Sequence, residues 1–116
     1  MTVVAAYLYR HGTRIRPVEI DEKIPVSSDK SEFVWIGVAD PTAQEMQTLA
    51  RTYDLHPLAV EDAIKANQLP KVDIYGDQLF VVARTAHVEG ESICYGETAI
   101  FVGHGHIISV RHGSAR

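Results

Sequence analysis

The chain has 116 residues, 46% hydrophobic and 22% charged, with a net charge of −4. That balance suits one folded domain with a core and excludes a disordered tail. The mild acidity gives no electrostatic reason to expect nucleic acid as a partner, and a single cysteine, Cys94, excludes both a disulfide framework and a cysteine-rich zinc site.

A lone thiol suits a reducing compartment. No apolar run approaches the ~18 residues that a membrane-spanning helix needs, and no leader with a charged start and an apolar middle opens the chain. Residues 3–9, VVAAYLY, read as a strand rich in β-branched and aromatic residues. His11-Gly12 supplies a tight turn, and RIRPVEI is the return strand, with Pro17 placing it near an edge. Residues 21–32 are polar, carry Pro25, and read as a loop with room for one helical turn. FVWIGV, 33–38, is apolar on both faces and so central.

A helix follows from 40 or 42 to 54. Either Asp40 caps it with Pro41 in the first turn, or Thr42 caps it and Glu45 closes a capping box. Met46, Leu49, Ala50 and Tyr53 form its apolar stripe. A second helix is predicted over 56–67, starting at Pro57 and ended by Pro70 at the latest, with Val60, Ala63, Ile64 and Asn67 on one face. Asp62 sits about 200° from Val60 around the helix and points away from that stripe. Glu61 and Lys65 make an i,i+4 pair. From Lys71 the chain reads as a meander with turns at Gly76-Asp77, Gly90-Glu91 and His104-Gly105.

The fold class expected is therefore α/β, an α+β arrangement with two helices on a mixed, largely antiparallel sheet. Several strands are apolar on both faces: Leu79, Val81 and Ala83 alternate with Phe80 and Val82, and Ile107 with Ile108. Such a sheet wants cover on both sides, but the sequence offers helices for one. The other layer is expected from further chain or from an oligomer; a freestanding interaction module that uses the uncovered face is the alternative.

Four groups of residues invite a chemical reading. Arg10-His11-Gly12 with Arg14 resembles the start of a histidine acid phosphatase, whose histidine attacks phosphate. Here the proline comes one residue late and no His-Asp pair follows to act as acid, so a hairpin bend is the plainer reading and no enzymatic activity is expected. His104, His106 and His112 could suit a transition metal, but a turn with exposed histidines accounts for them. Cys94 has no motif partner. Glu61-Asp62 would ordinarily be solvated charge, because a hard cation needs several converging oxygens.

Context changes that last reading. Residues 33–86 and the closing AIFVGHGHIISVRHG resemble the N-terminal cytoplasmic domain of CorA-type magnesium and cobalt transporters. The pieces that carry the resemblance are Trp35, Asp40-Pro41-Thr42, Leu55-His56-Pro57-Leu58, Glu61-Asp62 and Gln68-x-Pro70-Lys71. One departure is Leu69, where the family usually carries Arg.

The resemblance implies an αβα sandwich whose second helical layer lies beyond this chain. It implies a homopentamer in the inner membrane, with a stalk helix and two transmembrane helices per subunit, and residues 1–116 as one regulatory domain on the cytoplasmic face. The pore signature Gly-Met-Asn is absent here, so these residues alone conduct no ions. The resemblance also implies that Glu61 and Asp62 hold a regulatory Mg2+ between subunits, completed by a carboxylate beyond Arg116. A related zinc-transporting branch leaves the ion open among Mg2+, Co2+ and Zn2+. The isolated chain is expected to bind little metal, because half the site is missing, and to self-associate through its bare sheet face.

Overall fold

The computed structural model describes residues 3–24, 29–65 and 68–113. The elements run β1 (Val3–Arg10), β2 (Thr13–Pro17), β3 (Phe33–Ala39), α1 (Ala43–Tyr53), α2 (Pro57–Ile64), β4 (Lys71–Tyr75), β5 (Gln78–Glu89), β6 (Ser92–Gly103) and β7 (His106–Gly113). The strands form one sheet in the order β2-β1-β3-β7-β6-β5-β4. Every pairing in it is antiparallel except β3 with β7, which is parallel. The α+β reading, with a mixed and largely antiparallel sheet, stands.

His11 and Gly12 both have positive φ, 51° and 75°, which is the mirror-image turn that a two-residue hairpin requires. The return strand lies at the sheet's edge, as Pro17 demanded, but it ends there rather than running to Ile20. Val18 turns inward instead: its N–H donates to the Ala6 carbonyl at 3.0 Å and its side chain is buried. The loop that follows has turns closed by Glu22 N–H to Glu19 and by Glu32 N–H to Asp29. Pro25 lies outside the described residues.

Thr42, not Asp40, caps α1. Its hydroxyl accepts the Glu45 N–H at 3.1 Å while Glu45 Oε1 accepts the Thr42 N–H at 2.9 Å. Asp40 is left-handed, with φ 46°, and so cannot start the helix. Two features of α2 depart from the sequence reading. It stops at Ile64, not 67, and its buried residues are Ala59 and Ala63, with Ile64 exposed. Small alanines let the helix approach the sheet closely. Asn67 lies outside the described residues.

Both helices cover one sheet face. Ile36, Ile108 and Val110 there are wholly buried, Phe80 packs on Phe101 at 5.0 Å, and Met46 and Leu49 of α1 join the same core. On the opposite face Trp35, Val81, Ile100, Val102 and Ile107 are half-buried by their sheet neighbours, while Val72 and Ile74 are 64% and 72% exposed. Among the described residues, no element packs across that face. Nor is any described helix long and apolar enough to cross a membrane.

The asymmetry has a measurable consequence. Ile36→Ala should cost about 2–5 kcal/mol, the range for a buried aliphatic truncated in a packed core. Ile74→Ala should cost about 0.5 kcal/mol or less, as for surface changes. Urea denaturation of dilute protein reads both values; a loss at Ile74 matching that at Ile36 would mean the face is covered.

Candidate functional site

Helix α2 carries the acidic pair, and both its ends are tied down. His56 is the N-cap: its Nδ1 accepts the Leu58 N–H at 3.2 Å, with Pro57 in the first turn. The same ring stacks on Tyr75 of β4, with centroids 4.1 Å apart. The helix thus begins fastened to the strand that bears Lys71 and Asp73.

Beyond the helix, Gln68 is clamped. Its backbone N–H donates to Glu97 Oε1 at 2.7 Å, and its carbonyl accepts from Arg84 at 3.3 Å. Its side-chain amide donates to the carbonyl of Asp62 and, at 3.5 Å, to that of Lys65. Arg84 and Glu97 face each other across the β5–β6 ladder. Glu97 is only 8% exposed. A carboxylate so placed needs partners, and the Gln68 N–H is one of them.

The clamp sets the start of β4. Lys71 Nζ lies 2.6 Å from Asp62 Oδ2 and 3.0 Å from Asp73 Oδ2, with the Phe80 ring 5.9 Å away. The bonds to Asp62 and then Asp73 raise the Lys71 pKa above the ordinary lysine range. Glu61 instead meets Lys65 at 3.1 Å in an exposed pair, of the kind that adds only a few tenths of a kcal/mol.

The two residues singled out from sequence are therefore neighbours with different partners. Glu61 faces solvent and Lys65, whereas Asp62 turns to Lys71. Among the described residues, no group of three His, Cys, Asp or Glu is arranged to hold a metal. A cation at Asp62 would need oxygens from elsewhere.

The other candidates separate. Arg10 pairs with Glu32 at 2.8 Å, His11 with Asp29 at 3.4 Å, and Arg14 stacks over Tyr7 at 4.1 Å. These side chains do not converge on a common point where phosphate could sit. His104 is exposed beside Asp77. His106 corrects the reading of exposed histidines: it is 7% exposed and packs against Tyr53 at 5.1 Å. His112 hydrogen-bonds the Ala63 carbonyl at the end of α2. Both His106 and His112 share the helix-covered face of β7 with Ile108 and Val110. Cys94 is half-buried, with Sγ 3.7 Å from a Glu89 carboxylate oxygen.

Residues 30–115 match the family model described as CorA-like Mg2+ transporter protein. The chain belongs to the CorA-like family. A putative metal ion transporter of Schizosaccharomyces pombe is 33% identical over 63 residues, which is 54% of this chain and 8% of that protein. The manganese resistance protein MNR2 of Saccharomyces cerevisiae is 30% identical over 57 residues, covering 49% and 6%. The magnesium transporter ALR2 of the same yeast is 33% identical over 63 residues, covering 54% and 7%. This CorA-like chain thus spans less than a tenth of the length of the curated relatives it matches.

Solved structures agree on the fold. The full-length CmaX protein superposes with a TM-score of 0.77 at 15% identity, over 99% of this chain and 36% of that one. The soluble domain of CorA from Methanocaldococcus jannaschii gives 0.67 at 16% identity, over 97% and 42%.

Sequence reasoning missed the clamp and the pairing of Asp62 with Lys71. A signal existed: a two-residue turn at 90–91 fixes the β5–β6 register and so sets Arg84 opposite Glu97.

The buried His106 yields a pH dependence. Burial, with a smaller contribution from His104, lowers its pKa below the ordinary 6.5. The unfolded chain therefore takes up the proton first, and stability falls as pH drops from about 6.5 toward the lowered folded value. His106→Gln should flatten this part of the profile, read as the change in urea midpoint between about pH 7.5 and 5.5. An unchanged profile would mean that His106 protonates as readily folded as unfolded.

Proposed function

We propose that this chain is the metal-sensing, regulatory domain of a divalent-cation transport protein. It forms one domain, residues 1–116, on the cytoplasmic face of the inner membrane, and has no enzymatic role. The observation that carries the reading is the match of residues 30–115 to a family of Mg2+ transporters. The full-length protein is read as a homopentamer, attached to the membrane by segments outside this chain. Mg2+ is the first choice for the ion, with Co2+ and Zn2+ as the other candidates. No nucleic acid takes part, and no tightly held cofactor is expected in the isolated chain.

The regulatory site is placed at Glu61 and Asp62. Leu58 and Glu61 lie on the exposed side of α2, and half-buried Asp62 lies at its flank against Lys71. An apolar residue flanking carboxylates suits a surface that meets another subunit. Acidic groups brought face to face repel, and a hard divalent cation bridges them through carboxylate oxygens and retained water. Loss of the cation removes that stabilisation and shifts the population away from the bridged state. The bare sheet face is covered by further chain in the whole protein and by a second copy when the domain is alone.

Mg2+ titration of the full-length protein tests the site. At tenfold excess over Kd, one bound ion stabilises by about 1.4 kcal/mol, and Asp62→Ala should remove most of the resulting rise in Tm. A variant that responds like the parent would exclude Asp62 as a ligand. The 116-residue chain alone should show little Mg2+ response and should associate with rising concentration in sedimentation; a strict monomer would count against a face that seeks cover.

A further inference from the structure

Lys71 sits where a cation between Asp62 and Asp73 would sit, at 2.6 and 3.0 Å from one oxygen of each. Its position is not left to a free side chain. Glu97 and Arg84 grip the Gln68 backbone, the Gln68 amide grips the Asp62 carbonyl, and Pro70 stiffens the step into β4. The His56–Tyr75 stack fixes the same helix to the same strand from its other end. Strand and helix are thus registered so that ammonium and carboxylate meet.

We propose that Lys71 is a tethered cation that competes with divalent metal for Asp62, with Gln68, Arg84 and Glu97 as the positioning residues that hold it there. This rests on the reading of Asp62 as a metal ligand and adds how its affinity is set. A metal ion approaching Asp62 must displace the ammonium or share the carboxylate with it. In either case a positive charge stands within reach and opposes the ion. Metal affinity in oxygen sites follows the net charge of the ligand set, and a built-in lysine subtracts one unit from it. Asp62 is thereby kept weak, so that its occupancy responds to changes in a cation that is abundant rather than scarce. With Lys71 neutralised, Asp62 and Asp73 face each other without an internal counter-ion.

The test uses the 116-residue chain with Mn2+ alone as the probe, followed by the loss of the free-ion paramagnetic signal. Lys71→Met should bind Mn2+ at a concentration about tenfold lower than the parent, as expected for one unit of charge added to a weak oxygen site. Lys71→Arg, which keeps the cation, should stay with the parent. Lys71→Met combined with Asp62→Asn should return to the parent level. If Lys71→Met fails to fold by circular dichroism, Lys71→Gln takes its place. Equal Mn2+ binding by parent and neutral variant overturns the proposal, as does a gain that survives Asp62→Asn. This readout needs no second subunit. Failure of the inter-subunit reading shows separately, as a full-length protein whose Mg2+ response ignores Asp62→Ala.

Discussion

The sheet is two antiparallel ribbons joined along one parallel seam. Strands β2, β1 and β3 form one ribbon, and β4 to β7 the other, and only β3 against β7 connects them. The seam runs from Val34 beside His106 to Ala39 beside Arg111, and it is closed at its ends by Val34 N–H to Gly105 and Asp40 N–H to Arg111. Its side chains on the helix face, Ile36, Val38, Ile108 and Val110, are among the most deeply buried of the described residues. Parallel pairing cannot be made by a short turn and requires a long crossover. Here α1, α2 and the whole of β4–β6 lie within that crossover. Everything that positions Asp62 therefore hangs from one seam whose partners are far apart in sequence.

This explains what could be read from the chain and what could not. The turns at Gly76-Asp77, Gly90-Glu91 and His104-Gly105 are local, and the meander they define was legible. The helix start at Thr42 was one of two local alternatives, and reciprocal bonding with Glu45 decides between them. The central place of residues 33–38 followed from apolar side chains on both faces. The parallel seam left no local mark. The end of α2 did not follow from Pro70, because a proline limits where a helix stops without setting it. Tertiary bonds at Gln68, to Glu97 and Arg84, accompany the earlier stop at Ile64.

The acidic pair shows the same division. Its presence on α2 and the pairing of Glu61 with Lys65 follow from helical spacing. That Asp62 engages Lys71 depends on where β4 begins relative to the helix, which in turn depends on the grip of a buried carboxylate two strands away. The stretches His56-Pro57-Leu58, Glu61-Asp62 and Gln68-x-Pro70-Lys71 look like separate signatures in sequence. In the fold they are one mechanical unit: a capped start, an acidic middle and an anchored exit.

The turn between β6 and β7 binds two sequence positions into one choice. Gly103 pairs directly with His106, and the imidazole lies flat over the place where a side chain at 103 would begin. A Cβ there would lie 2.4 Å from the ring, so the imidazole, buried against Tyr53, would have to shift. Substitution at 103 alone thus displaces the imidazole from its present seat. A shorter residue at 106 alone opens a gap beside Tyr53. The bare backbone at 103 and the ring at 106 are therefore one packing feature shared by two positions.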